Sequence, residues 1–400
     1  MVKRYYGGLI SAASPTVSSS SASGIFNTTQ HMQAKRIGSW PSPAAPPVVY
    51  VIYSWGNGGS GQLGLTNTNT YYAPQQVGSL NWSVVSAGYS NSQAIKTDGT
   101  LWAWGENYQG VLGLGDTTNR SSPVQVGALT TWSKISAGAY FSMAIKTDGT
   151  IWSWGKNTYG NLGLGNTTNI SNPTQIGALY DWSSISSGET HSIAIKTDGT
   201  MWSWGRNDSG KLGLGDTTSR SSPTQIGAGT TWSSVSCGGQ ASFSVAVKTD
   251  QTMWSWGDNS YGQLGLNNTT NYSSPKQIGG IDGWSKIRSM YNSCAAVKTN
   301  GTLWTWGRNA SGQLGLDNTT HYSSPKQVGA LTNWSNVGTG ALDARCLITK
   351  TDGTLWSWGG NFQGKLGLGN TIGYSSPKQV GSLTNWLTVA SGYTHNISLG

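Results

Sequence analysis

The chain has 400 residues, of which 10% are charged, and its net charge is +9. Its apolar runs are too short for a transmembrane helix, and three cysteines make no disulfide framework. With so few charges we expect no continuous basic stripe, and therefore no specific nucleic-acid partner. The short apolar runs lead us to expect no membrane insertion.

Residues 1–47 differ in composition from the rest of the chain. They hold five of the 12 prolines, a serine-rich run, four basic residues and no acidic residue. This composition is typical of a flexible tail, although the pattern favours a short helix between Thr28 and Arg36. The segment also carries more large apolar side chains than a linker needs, so we interpret it as an irregular docking arm. The docking residues that we expect are Tyr5, Tyr6, Ile25, Phe26 and Trp40.

Residues 48–400 repeat one unit of about fifty residues seven times. Each copy contains a Trp-Gly step, and successive steps lie 49 to 52 residues apart. A period of this length indicates stacked supersecondary units, because one unit alone cannot bury its apolar faces. The tryptophans of this step are Trp55, Trp104, Trp154, Trp204, Trp256, Trp306 and Trp358.

The second copy shows the predicted strands of one repeat. Short strand-like stretches occupy residues 100–104, 123–127, 132–136 and 142–146. The second stretch opens with proline, and the fourth is followed by Asp148-Gly149, a pair typical of a type I′ hairpin. Four short strands in fifty residues are typical of one propeller blade. The sequence therefore predicts an all-β, seven-bladed propeller.

The two ends of the repeat array complement each other. The last copy stops at its fourth strand, residues 396–400, and the first copy begins with the strand that would follow, residues 51–55. We expect these strands to pair, because pairing would close the ring and remove the exposed sheet edges.

Three patterns recur in the copies: Trp-Gly-x-Asn-x-x-Gly-x-Leu-Gly-Leu, a proline-led strand, and Ser-Ala-Gly followed by Ser-x-Ala-Ile-Lys. They resemble the regulator-of-chromosome-condensation repeat family, and the resemblance implies a seven-bladed propeller. It does not select an activity, because members include a nucleotide-exchange factor for a small GTPase, a plant ultraviolet-B photoreceptor and an inhibitor of β-lactamase. The loops after the third strand, such as residues 89–91, 139–141, 189–191 and 393–395, contain no tryptophan. This argues against a light sensor.

Two positions vary while the framework of the repeat stays constant. One is the third residue before the strand-opening proline, and the other lies in the loop after Trp-Gly-x-Asn. Tyrosine and arginine at such positions predict a recognition rim, since they supply contact area and directional hydrogen bonds. The alternative is neutral drift in surface loops. The predicted rim residues are Tyr71, Arg120, Arg220, Tyr272, Tyr322 and Tyr374 at the first position and Tyr108, Tyr159, Tyr261 and Phe362 at the second.

The repeats offer no convergent set of catalytic groups. His191 and His395 share a register but belong to the third and seventh copies, so we expect no shared metal. The recurring Gly-x-Leu-Gly-Leu lacks the lysine of a phosphate-binding loop, and tight packing explains it better. Cys294 and Cys346 occupy the register of buried serines, which favours small buried side chains. We therefore predict no enzyme, no metal and no cofactor.

Six lysines recur just before the hairpins. Because they are spread around the ring, we expect them to lie on outer strands, where they would protect sheet edges and solubility. Attraction of the basic chain to an anionic surface such as lipopolysaccharide stays open. These lysines are Lys96, Lys146, Lys196, Lys248, Lys298 and Lys350.

The arm supplies the remaining functional signal. Its segments 3–11, 23–26 and 39–41 resemble the opening of virion-associated proteins of marine tailed phages. We therefore hypothesise a non-enzymatic structural or adhesion protein of a virion. Its arm would bind other virion proteins, and its propeller would face outward as decoration or toward a host surface glycan or protein. The alternative is a bacterial propeller, cytoplasmic or secreted, that binds a protein partner as an inhibitor or as a GTPase exchange factor does.

Overall fold

The computed structural model describes residues 50–78, 81–239, 242–280, 283–338 and 344–400. The predicted docking arm at residues 1–47, with its short helix, lies outside these ranges. Among the described residues, 28 strands form seven antiparallel sheets of four strands each. This confirms the predicted all-β, seven-bladed propeller.

The strands follow the four positions of the repeat. At the first position lie β1 Ile52–Gly56, β5 Leu101–Gly105, β9 Ile151–Gly155, β13 Met201–Gly205, β17 Met253–Gly257, β21 Leu303–Gly307 and β25 Leu355–Gly359. At the second lie β2 Tyr71–Val77, β6 Arg120–Gln125, β10 Ile170–Gln175, β14 Arg220–Gln225, β18 Tyr272–Gln277, β22 Tyr322–Gln327 and β26 Tyr374–Gln379. At the third lie β3 Trp82–Ala87, β7 Trp132–Ala137, β11 Trp182–Ser187, β15 Trp232–Cys237, β19 Trp284–Ser289, β23 Trp334–Val337 and β27 Thr388–Ser391. At the fourth lie β4 Asn91–Lys96, β8 Phe141–Lys146, β12 His191–Lys196, β16 Phe243–Lys248, β20 Ser293–Lys298, β24 Arg345–Lys350 and β28 His395–Leu399. Two short 3₁₀ turns, Tyr108–Gly110 and Phe362–Gly364, follow β5 and β25.

Each blade combines strands from two neighbouring copies of the repeat. The third and fourth strands of one copy pair with the first and second strands of the next, as in the order β3-β4-β5-β6. The third strand is innermost, because neighbouring third strands bond one another through serine hydroxyls. Ser86 Oγ accepts from the backbone N–H of Ala137, and Ser136 Oγ accepts from that of Ser187, both at 2.9 Å. These strands surround a narrow central cavity of about 120 Å³.

The blade that closes the ring is built from both ends of the propeller, in the order β2-β1-β28-β27. β1 and β28 pair antiparallel, with Ile52 opposite Leu399 and Gly56 opposite His395. Val51 and Gly400 add two backbone hydrogen bonds, of 3.0 and 3.1 Å. The predicted closure is confirmed.

The Trp-Gly tryptophans hold neighbouring blades together. Trp154 is fully buried, and its indole N–H donates to the carbonyl of Val111 in the preceding copy at 2.9 Å. Gly113 lies against the same indole, so that a Cβ there would come within 2.8 Å of Trp154 Nε1. The same contact recurs between Gly163 and Trp204. The Gly-x-Leu-Gly-Leu segment therefore serves tight packing, as expected.

The hairpin lysines do not lie on outer strands, so that expectation was wrong. They end the fourth strands, which are second from the centre of the ring. Lys146 is only 8% exposed, and its ammonium lies 3.5 Å from the ring centroid of Trp152 and 5.0 Å from that of Trp132. The attraction between a cation and two indole faces explains this position. In the hairpin that follows, the carboxylate of Asp148 accepts hydrogen bonds from the backbone N–H and the hydroxyl of Thr150, at 2.9 and 2.7 Å. These two bonds stabilise the turn.

Candidate functional site

The ring has two different faces. The first and third strands run in one direction, so the loops that follow them open on the same face. We call this the tyrosine face, after its loop aromatics Tyr89, Tyr108, Tyr140, Tyr159, Tyr261, Tyr291, Phe362 and Tyr393. The opposite face carries the hairpins and the loops that precede the third strands. We call it the leucine face, after its exposed residues Leu129, Leu179, Tyr180, Leu331 and Leu383.

Both predicted rim positions lie on the tyrosine face. The residues before the proline begin the outermost strands, since Arg120 lies opposite Gly105 in the register of β5 and β6. They are half-buried and form the perimeter of the face. The loop residues lie nearer the centre and are more exposed, with Tyr108 at 47% and Phe362 at 74%. The structure therefore brings the two predicted sets together on one surface.

The perimeter residues have partners within their own copies. Arg120 pairs with Asp116 at 2.6 Å, and Arg220 pairs with Asp216 at the same distance. Where the residue is tyrosine, its hydroxyl lies 3.3 to 3.4 Å from an asparagine amide four residues earlier. These tyrosines are Tyr71, Tyr272, Tyr322 and Tyr374. Arginine thus occurs where the residue four positions earlier is aspartate, and these tyrosines occur where it is asparagine.

The exposed loop aromatics are partly covered by cations of the same face. The guanidinium of Arg206 lies 4.8 Å from the ring centroid of Tyr159, and that of Arg308 lies 5.0 Å from that of Tyr261. Arg206 also pairs with Asp208 at 3.0 Å. These contacts hold the tyrosines in place while leaving 37% of each exposed.

Three further tyrosines, which the sequence prediction missed, stack on this face. The rings of Tyr89 and Tyr393 are 4.3 Å apart at 14°, and those of Tyr89 and Tyr140 are 5.2 Å apart at 24°. Tyr108 contacts Tyr140 edge-on at 5.5 Å, which joins the stack to the predicted rim. Burial, with the neighbouring phenols Tyr140 and Tyr393, raises the pKa of Tyr89 to about 12. The available signal was the recurrence of tyrosine just after the third strand in several copies.

A small polar cavity lies beside this stack. It measures about 30 Å³, and its lining residues include Tyr140, Tyr159, Lys156 and Glu189. Burial raises the pKa of the Glu189 carboxyl, although the cations Lys211, Arg206 and Lys156 act in the opposite direction.

The two register-matched histidines lie in the core. His191 Nε2 is 3.0 Å from Ser244 Oγ, and His395 Nε2 is 2.7 Å from Ser92 Oγ, so each bridges a different pair of blades. Cys294 and Cys346 are buried free thiols in the register of Ser92, as predicted. The described residues include no group of three or more histidine, cysteine or acidic side chains that could hold a metal ion. Within the same part of the chain, no helix is long and apolar enough to cross a membrane.

Comparison with family models gives one consistent result. The RCC1-like domain model matches residues 50–244, and the regulator of chromosome condensation (RCC1) repeat model matches residues 250–297, 300–341 and 352–399. A second model of the repeat matches residues 232–263. Together these matches cover most of the chain. No curated protein matches.

Solved structures similar to this chain share its fold at low sequence identity. Prp20p from Saccharomyces cerevisiae, described with its binding properties to Gsp1p and histones, is 18% identical with a TM-score of 0.78, over 89% of this chain and 92% of that one. Human WBSCR16 is 20% identical with a TM-score of 0.77, over 88% and 98%. Yeast RCC1 (Prp20) bound to Kap60 is 18% identical with a TM-score of 0.77, over 100% and 96%. Identities this low establish the common fold alone.

Proposed function

Because the chain belongs to the family of regulator of chromosome condensation repeat proteins, we propose that it is a non-enzymatic binding propeller whose tyrosine face recognises a partner. The observation that carries this proposal is the surface itself. Tyr108, Tyr159, Tyr261 and Phe362 remain exposed, and the Tyr89 stack adjoins them. Rigid, partly exposed tyrosines supply contact area at low conformational cost, as binding surfaces require.

We further propose that the chain is a structural or adhesion protein of a tailed-phage particle. Residues 1–47 would bind other virion proteins, and the propeller would face outward toward a host surface glycan or protein. The position of Tyr50 supports this arrangement. Its carbonyl accepts a hydrogen bond from the backbone N–H of Trp82 at 3.3 Å. In the next copy the hairpin residue Gly99 occupies the equivalent position, since its carbonyl accepts from the backbone N–H of Trp132 at 3.1 Å. Tyr50 therefore lies at the leucine face, opposite the tyrosine face.

A protein-binding propeller in a bacterium, either inhibitor-like or exchange-factor-like, is the alternative. The exposed aromatic surface would also suit a protein partner. The partners named for the similar structures, Gsp1p, histones and Kap60, belong to those proteins. Capture of one specific GTPase or enzyme, with no particle association, would favour this alternative.

The test is the composition of purified phage particles. We expect mass spectrometry to find the full chain in them, and we expect a chain that lacks residues 1–47 to fold but not to attach. Circular dichroism of the truncated chain is the control for folding. Absence of the full chain from particles would reject the virion assignment, and attachment of the truncated chain would reject the role of the arm.

A further inference from the structure

The cavity beside the tyrosine stack is lined by two side chains of opposite charge that form no ion pair with each other. Lys156 follows β9, and Glu189 follows β11 in the next blade. Within the described part of the chain, neither side chain forms an ion pair within 4.0 Å or donates or accepts a hydrogen bond through its charged group. The ammonium of Lys156 instead lies 5.5 Å from the ring centroid of Tyr140. A hydrogen-bond donor and a hydrogen-bond acceptor thus face the same cavity from separate loops.

The other cations near Glu189 are engaged elsewhere. Lys211 pairs with Asp208 at 2.9 Å and donates to the hydroxyls of Thr190 and Ser242, both at 3.1 Å. Arg206 pairs with the same Asp208 and covers Tyr159. Because Asp208 and the two hydroxyls engage both of these cations, the carboxylate of Glu189 and the ammonium of Lys156 remain the polar groups available to a ligand.

The walls and size of the cavity restrict what can enter it. Tyr140 and Tyr159 supply aromatic surface on its lining. A volume of about 30 Å³ accommodates a group about the size of one water molecule, such as a hydroxyl. A half-buried carboxylate without a partner gains most from a ligand that donates a hydrogen bond to it.

We propose that this cavity binds carbohydrate by taking up one hydroxyl of a sugar ring. That hydroxyl donates to Glu189 and accepts from Lys156, because a hydroxyl can do both. The C–H edges of the ring pack against Tyr140 and Tyr159, as apolar ligand surface does against aromatic walls. The biological role of this site rests on the proposed function, whereas sugar binding is a property of the isolated protein.

The experiment uses the purified full chain and measures binding by saturation-transfer NMR and calorimetry. The probes are the methyl glycosides of mannose, glucose and galactose, an array of bacterial surface polysaccharides, and the O-methylated form of each glycoside. We expect at least one hydroxyl-bearing glycan to bind and its O-methylated form not to bind. Glu189→Ala and Tyr159→Ala should each weaken binding by about tenfold or more, since each removes a main contact. Tyr180→Ala, on the leucine face, is the matched control and should bind as the wild type does.

Several outcomes would overturn the inference. These are binding of no glycan, equal affinity in Glu189→Ala, or binding of free amino acids or peptides in place of sugars. Its failure is distinguishable from failure of the proposed function. A chain that is present in particles but binds no glycan loses only the inference, whereas a chain that binds glycan but is absent from particles loses only the virion assignment.

Discussion

His395 and His191 each place an imidazole ring in the core between two blades. Burial, with the charge of Arg345, lowers the pKa of His395 to about 3. Burial, with the charge of Lys211, lowers the pKa of His191 well below 6.5. Both rings are therefore neutral in the folded chain at pH values where the unfolded chain would already protonate them. The stability of the propeller is linked to pH through these two residues.

We predict that the melting temperature falls as the pH is lowered from 7 to about 4. Below about pH 6.5 this histidine binds a proton in the unfolded chain, whereas folded His395 stays neutral until about pH 3. The contribution to stability is therefore fully present above pH 6.5 and declines as the pH falls below it. His395→Asn should reduce this decline, since Asn91 occupies the same register in the first copy. Thermal unfolding followed by circular dichroism at several pH values measures both slopes.

The hairpin aspartates provide an internal control for this prediction. Hydrogen bonds from Thr100 lower the pKa of Asp98 below 3.8, so its contribution is lost only in stronger acid. Both proteins keep these aspartates. Equal slopes for the wild type and His395→Asn between pH 4 and pH 7 would contradict the role of His395.

At the residue scale, the positions of the loop tyrosines could be predicted from the sequence, but their contacts could not. The loop tyrosines were predicted from their varying position, and the structure places them on one exposed face. The pairing of Arg120 with Asp116 is visible in the sequence only if the loop is known to bring residues four apart together. Tyr89 and Tyr393 lie 304 positions apart in the chain, and their stacking needs the ring to close. A period alone does not reveal that contact.

At the scale of elements, the closing blade depends on the last strand. β28 pairs with both β1 and β27, so its removal would leave two unpaired strand edges. Arg345 of the preceding blade donates to the carbonyls of Gly392 and His395, at 2.7 and 2.8 Å. β28 therefore joins the two ends of the ring and also binds the sixth blade.

We predict that deleting residues 396–400 opens the ring and lowers the melting temperature by more than 10 °C, roughly what a loss of several kcal/mol causes in a domain of this size. Deletion of residues 48–55 should have a similar effect, because it removes β1. Deletion of residues 1–47 is the control, since it removes a terminal segment but no described strand. An unchanged melting temperature after the deletion of residues 396–400 would contradict closure by β28.

The sequence predicted the number of strands and their order along the chain, but not the depth of each strand in a blade. Hydrophobic alternation and the Asp-Gly hairpins mark strands locally. Which strand lies at the centre depends on contacts between copies, such as that of Ser86 with Ala137. This is why Lys146 was expected on an outer strand, although it lies over Trp152 near the middle of the sheet.

At the scale of the whole molecule, the two faces of the ring offer a way to determine its orientation on a particle. The cysteines of the chain do not interfere with thiol labelling. Cys237, Cys294 and Cys346 are buried, and burial raises the pKa of Cys237 and of Cys346 to about 12. A thiol placed on either face would therefore react far faster than the natural ones.

We predict that attachment to a particle covers the leucine face and leaves the tyrosine face open. Thr158→Cys introduces a thiol on the tyrosine face, and Tyr180→Cys introduces one on the leucine face, both at exposed positions. In the isolated protein both variants should react with a maleimide dye, and the wild type should react slowly. On particles Thr158→Cys should still react and Tyr180→Cys should be protected, because Tyr50 lies at the leucine face and leads into the arm. The reverse pattern would mean that the tyrosine face is the attached one, and equal labelling would mean that neither face is covered.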